Sequence, residues 1–129
     1  MRHIIASTML VLLLGCYHGP SLHRFAPAQG PEGIAADLRV KKTRIQGELL
    51  EVQDSVLLIR STDRIVSIPV RSIDHGSFEG LGERLTRGVD AKDALIELRK
   101  LSRFPTGLSA DARARLLAAY GQTTPVELP

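Results

Sequence analysis

Apolar positions along the chain follow three patterns. Ile4–Leu14 is a nearly continuous apolar run, interrupted only by Ser7 and Thr8. Ile34, Ala36, Leu38 and Val40 alternate with Ala35, Asp37 and Arg39, the period-two mark of a strand with one buried face. From Ala91 onward, apolar residues recur at spacings of three and four, the stripe of a helix. The pattern predicts an apolar leader, a β-rich middle and a helical end.

The middle region, 34–78, divides into five short strands. Lys41-Lys42-Thr43 makes the first turn. Ile45, Gly47 and Leu49 alternate in one frame and Leu50 and Val52 in the other, so a bulge or sharp bend is expected within the second strand. Gln53-Asp54-Ser55 turns into Val56-Leu57-Leu58-Ile59, which is apolar without alternation and so needs cover on both faces. Ser61-Thr62-Asp63 precedes a fourth strand, Ile65–Val70. Pro69 has no amide hydrogen and belongs at an edge or strand end. A tight turn at Arg71-Ser72 leads to a fifth strand, Ile73–Phe78.

Residues 79–89 contain three glycines and are expected to form a linker. Residues 90–121 carry two helix signatures. Asp90 is a good cap for the first helix, whose apolar stripe is Ala91, Ala94, Leu95, Leu98 and Leu101 and which Pro105 ends. Ser109 caps the second, and Gly121 lies just past its end. A strand unit this small rarely suffices as a core. The pair is therefore expected to pack on it as a helical hairpin covering the outer side of Val56–Ile59. Residues 122–129, with two prolines, are expected to be a disordered tail.

At 129 residues and 14.1 kDa there is room for one folded domain. The net charge of +3 is too weak and too scattered for a nucleic-acid binder. One cysteine excludes an internal disulfide, and four scattered histidines have no zinc spacing, so neither metal nor cofactor is expected. Tyr17–Gly33, with six Gly or Pro among 17 residues, reads as a flexible tether.

The N-terminus adds an address. Arg2 and His3 form a basic start, and the apolar run after them covers roughly 16 Å as a helix, about half a bilayer core. Residues 1–15 therefore have the form of a secretory signal peptide. The run ends Leu13-Leu14-Gly15-Cys16, which resembles the lipobox of bacterial lipoproteins. That resemblance implies cleavage between Gly15 and Cys16, lipid on the Cys16 thiol, and a tether over residues 16–33. It implies anchoring in the cell envelope, at the outer membrane rather than the inner where the host has one, because Tyr17 stands in place of an inner-membrane aspartate.

The five-strand region resembles an SH3-like or Sm-like small barrel. Gly47-Glu48-Leu49-Leu50-Glu51-Val52-Gln53-Asp54 follows the Sm order of glycine, leucine, apolar residue and aspartate, with the aspartate one residue late. The base-holding asparagine is absent from Val56-Leu57-Leu58, and Asp74-His75-Gly76 replaces the arginine-glycine pair. The resemblance implies a five-stranded barrel, which with the two C-terminal helices read from the apolar spacing makes a mainly β fold with α. It does not imply RNA binding, and no nucleic-acid partner is expected.

Two surface features remain open to more than one reading. Arg39, Lys41, Lys42 and Arg44 surround the first turn, either as a contact for an envelope polyanion or as a solvated hairpin tip that resists aggregation. Arg103 and Phe104 form either an anchor for a partner protein or a plug at the joint between the helices. Glu48 and Glu51 are expected to face solvent. His75, beside Asp74, is expected to be a loop histidine without a nucleophile to serve, so no catalytic residue is expected. The reading is a lipid-anchored envelope lipoprotein acting as a structural or interaction module, its partner an envelope protein or a second copy. The alternative is a small envelope hydrolase or a polyanion-binding module.

Overall fold

A computed structural model describes residues 32–128. Alternation sets the first hairpin: β1 (Ala35–Val40) and β2 (Thr43–Val52) pair antiparallel, with Leu38 opposite Ile45 and Ala36 opposite Gly47. Lys41 turns the chain with a left-handed φ of 56°, and its amide donates to Asp74 Oδ2 at 3.0 Å. The bulge expected in β2 lies between Leu49 and Glu51. It lets Leu49 and Val52 both enter the main core while Leu50 enters a second cluster. Just before it, a Cβ on Gly47 would collide with the Arg60 carbonyl oxygen, so only glycine allows the next strand to come this close.

β3 (Val56–Arg60), β4 (Ile65–Pro69) and β5 (His75–Phe78) follow, with one turn of 3-10 helix at Val70–Ser72 joining the last two. Two further strands lie where loop was expected. β6 (Gly82–Thr86) occupies the proposed linker and pairs antiparallel with β5. Gly80 and Gly82, at φ of 76° and 70°, make the turn into β6 instead of loosening the segment, and Leu85 enters the core opposite Gly76. β7 (Val126–Glu127) lies in the proposed disordered tail and pairs parallel with Val66 and Ser67 of β4. Gln122 fastens it: its side chain accepts from the Ile65 amide at 2.8 Å and donates to the Ile65 carbonyl at 3.0 Å. The result is a seven-stranded sheet instead of five strands, in the order β6-β5-β1-β2-β3-β4-β7, whose ladder does not close on itself.

β3 is covered on both faces, as its unbroken apolar run requires. Leu57 and Ile59 join the main core, and Leu58 joins the second cluster with Leu50 and Ile65. Each such fully buried side chain contributes about 1.5–3 kcal/mol. The two helices divide these faces instead of forming a hairpin on one. α1 (Lys92–Leu101) inserts Leu95 and Leu98 into the main core, whereas α2 (Ala110–Ala118) sets Leu117 over the second cluster. The connection explains the split. The amides of Arg103 and Phe104 donate to the carbonyls of Leu49 and Leu50, each at 2.9 Å, so the chain crosses at the β2 bulge from one face to the other. Ser109 caps α2 as expected, its Oγ accepting from the Ala112 amide at 3.1 Å. Asp90, expected to cap α1, stands one residue too early: Ala91 holds the cap position without a side-chain bond, and Asp90 Oδ1 accepts from the Lys92 amide at 3.0 Å in a turn ahead of the helix. Among the described residues, no helix is long and apolar enough to cross a membrane.

Candidate functional site

The β1–β2 turn and the outer face of its neighbours gather charge. Register sets Arg39 beside Arg44 on β2 and beside His75 on β5. Arg44 Nε donates to Asp37 Oδ1 at 2.9 Å, and Gln46 adds a contact to Oδ2 at 3.3 Å. The Arg44 bond holds the Asp37 carboxyl below its ordinary range, and Asp37 in turn raises the guanidinium. Arg87 Nε pairs with Asp74 Oδ1 at 2.6 Å, while the other Asp74 oxygen holds the Lys41 amide. His75 sits on a strand, not a loop, with Nδ1 2.6 Å from Glu83 Oε1, and this bond keeps the Glu83 carboxyl low.

This arrangement sorts the four basic residues. Arg44 is committed to Asp37, whereas the exposed Arg39, Lys41 and Lys42 side chains have no carboxylate partner among the described residues. Three adjacent free cations can neutralise phosphate or carboxylate groups presented on a surface.

Glu48 and Glu51 depart from expectation: both are buried, at 7% and 8% exposure. Glu48 Oε1 accepts from the Gly33 amide at 2.9 Å and lies 3.7 Å from Arg103 Nη1. Its Oε2 meets Arg60 Nη2 at 2.6 Å, yet without hydrogen-bond geometry to any donor, so charge more than direction holds this contact. Arg60 also donates to the Tyr120 hydroxyl at 3.3 Å, a bond that raises the guanidinium further. Glu51 Oε2 accepts from Arg113 Nη2 at 3.4 Å. These acids tie the bulged end of β2 to β3 and α2. The signal available in the chain was Arg60, which closes β3 directly opposite Glu48 in register.

Arg103 and Phe104 belong to the same region. The Arg103 guanidinium carbon lies 5.4 Å from the Phe104 ring centroid, and the half-buried ring packs on the second cluster. The pair fills the crossing between the helices. Gly15 and Cys16, with the rest of the proposed signal and most of the tether, lie outside the described residues. Among the described residues, no group of three or more His, Cys, Asp or Glu is placed to hold a metal ion. Comparison with protein-family models, curated proteins and solved structures returned no match.

Proposed function

We propose that this chain is a lipid-anchored protein of the bacterial cell envelope whose folded part is a structural or protein-interaction module. The observation that carries the reading is the placement of the chain's single cysteine, directly after Gly15 at the end of the apolar run. Two acyl chains on Cys16, at about 0.8 kcal/mol per buried methylene, suffice for stable attachment. The proposed tether from Tyr17 to Gly33, whose last residue is held by Glu48, would reach at most roughly 22 Å as a coil and about 50 Å extended, enough to hold the folded part clear of the headgroups. Tyr17 in place of aspartate favours the outer membrane.

The folded part is read as an SH3-like or Sm-like small barrel carrying two added strands and two helices. Support comes from the order β5-β1-β2-β3-β4, the bend in β2, and the single 3-10 turn between β4 and β5. Inward residues of β1 through β6 also meet in one core, as a curled sheet requires. Sm-like rings form by pairing the fourth strand of one subunit with the fifth of the next. Here β7 lies along β4 and β6 along β5, so the chain's own strands occupy both edges. That favours a different envelope protein as partner over a ring of copies. The free cations Arg39, Lys41 and Lys42 favour a second reading, contact with an anionic envelope polymer.

The test of anchoring is Cys16→Ser in a bacterial host fed a clickable palmitate. The parent chain should take the label and lose its signal, while the variant stays unlabelled and unprocessed; equal labelling of the two would sink the lipoprotein reading.

A further inference from the structure

Between α1 and the adjoining ends of β3 and β4 lies an open groove of about 610 Å³, within the usual range of small-ligand sites. Its floor is apolar: Val56, Pro69 and Val70 on the strand side, Ala91, Leu95 and Ile96 on the helix side. Ile96 is 45% exposed, one of two large apolar side chains so exposed among the described residues, and Val89, the other at 65%, lines an adjoining depression. Three cations stand at the rim. Arg99 is engaged, its Nε donating to the Val52 carbonyl at 3.0 Å. Arg71 and Lys92 have no side-chain partner among the described residues, and Arg71 also borders both neighbouring depressions. Of the two rim acids, Asp90 accepts from the Lys92 amide just ahead of α1 and Asp54 faces Arg99 at 3.9 Å.

The backbone around the groove narrows what can occupy it. Val56 and Pro69 already pair, the Val70 amide donates to the Ser55 carbonyl, and the Leu95 amide donates to the Ala91 carbonyl. Pro69 has no amide hydrogen, and β7 takes the outer edge of Val66 and Ser67. An extended peptide laid here would find no ladder to join and would bury its own amides unpaired. An alkyl chain has no such groups to satisfy. The free rim charge is positive and suits a single anionic head, with a carboxylate matching the planar fork of an arginine.

We propose that this groove binds a free long-chain fatty acid, the chain lying on Val56, Pro69, Leu95 and Ile96 and the carboxylate meeting Arg71 with Lys92 beside it. The site goes beyond the lipoprotein reading and does not depend on modification of Cys16.

The test uses the full chain in phosphatidylcholine nanodiscs with a diazirine-bearing palmitic acid, irradiation, and mapping of adducts by mass spectrometry. Adducts should fall on residues 54–56, 69–71 and 91–99. Ile96→Asp and Arg71→Glu should each lower their yield about tenfold, the equivalent of roughly 1.4 kcal/mol, while Arg71→Lys keeps most of it. Both positions are exposed, and circular dichroism of each variant confirms that the fold is retained. Adducts confined to the apolar run Ile4–Leu14, or a yield indifferent to Ile96→Asp, would overturn the site. Equal labelling by the matching fatty alcohol, or by a diazirine phosphatidylcholine, would overturn the fatty-acid assignment. Running the same measurement on Cys16→Ser separates the outcomes, because the groove should label whether or not the chain is lipidated.

Discussion

The two ends of β2 use the same chemistry under opposite conditions. At its start, Arg44 pairs with Asp37 across the first hairpin, with the two side chains 61% and 38% exposed. At its far end, Glu48 meets Arg60 and Arg103 with its carboxylate 7% exposed. Water screens the first pair and competes for it, so it adds little to stability. In the second the carboxylate has exchanged its hydration for protein contacts, and Glu48 cannot lose its partners without a large penalty. The difference follows from the bulge. By shifting the frame it brings Glu48 and Glu51, which an unbroken strand would set on opposite faces, onto one face beneath the 102–104 crossing and α2. Charge in this strand is structural at one end and ornamental to the fold at the other.

Glu48→Ala is the strongest way to break the comparison. It strands the Arg60 and Arg103 guanidiniums, both partly buried, and removes the acceptor of the Gly33 amide. Removing one member of a buried pair costs about 3–5 kcal/mol, and the partial exposure of both arginines places this case near 3. Glu48→Gln keeps the shape but not the charge, and should lose most of the same amount because Oε2 is held by charge. Urea unfolding of the full chain measures both. A loss below about 1 kcal/mol for the alanine variant would put this cluster in the same class as the surface pair.

Phe104→Ala sharpens the comparison without touching a charge. The half-buried ring packs with Leu50, Leu58, Ile65 and Leu117 beneath α2, and its backbone carries the crossing from α1. Full truncation of a buried phenylalanine costs about 3–5 kcal/mol, so a half-buried one should cost about 2. The same unfolding experiment reads it, together with faster amide exchange in Ala110–Ala118. Unchanged exchange in α2 would show that the plug does not hold that helix in place.

Legibility along the chain tracks how local each signal is. β1 to β5 and the bulge were readable because alternation, and the switch of frame between Leu49 and Leu50, are written in adjacent residues. Capping of α2 by Ser109 was readable for the same reason. β6 was hidden because only Leu85 of its five residues is buried, and its flanking glycines resemble a linker until their turn is seen. β7 is two residues long and depends on Gln122 reaching the Ile65 backbone, a contact no local pattern encodes. The burial of Glu48 depends on Arg60 and Arg103 arriving from elsewhere in the chain, and the groove on Val56, Pro69 and Ile96 converging from three elements. A local pattern also led the two helices to be joined in one hairpin. Their division between opposite faces is set by the pairing of residues 103 and 104 with the bulge.

The smallest effect belongs to Asp37, and its sign can be worked out. Arg44 holds the folded-state carboxyl below its ordinary range, so the native state binds the proton less readily than the unfolded chain does. The stability this adds is fully present above the unfolded value of about 3.9 and is lost as pH falls below it, through the lowered folded value. Asp37→Asn should therefore be slightly less stable than the parent at neutral pH, by much less than either variant above. The gap should close under acid, below about pH 4, and shrink in high salt, because an exposed pair is screened. Urea midpoints of parent and variant at neutral and acid pH, each at low and high salt, provide the measurement. A gap that widens on acidification would reverse the assigned direction. A gap as large as that of Glu48→Ala, and indifferent to salt, would mean that the start of β2 is not governed by solvent and that its two ends are alike.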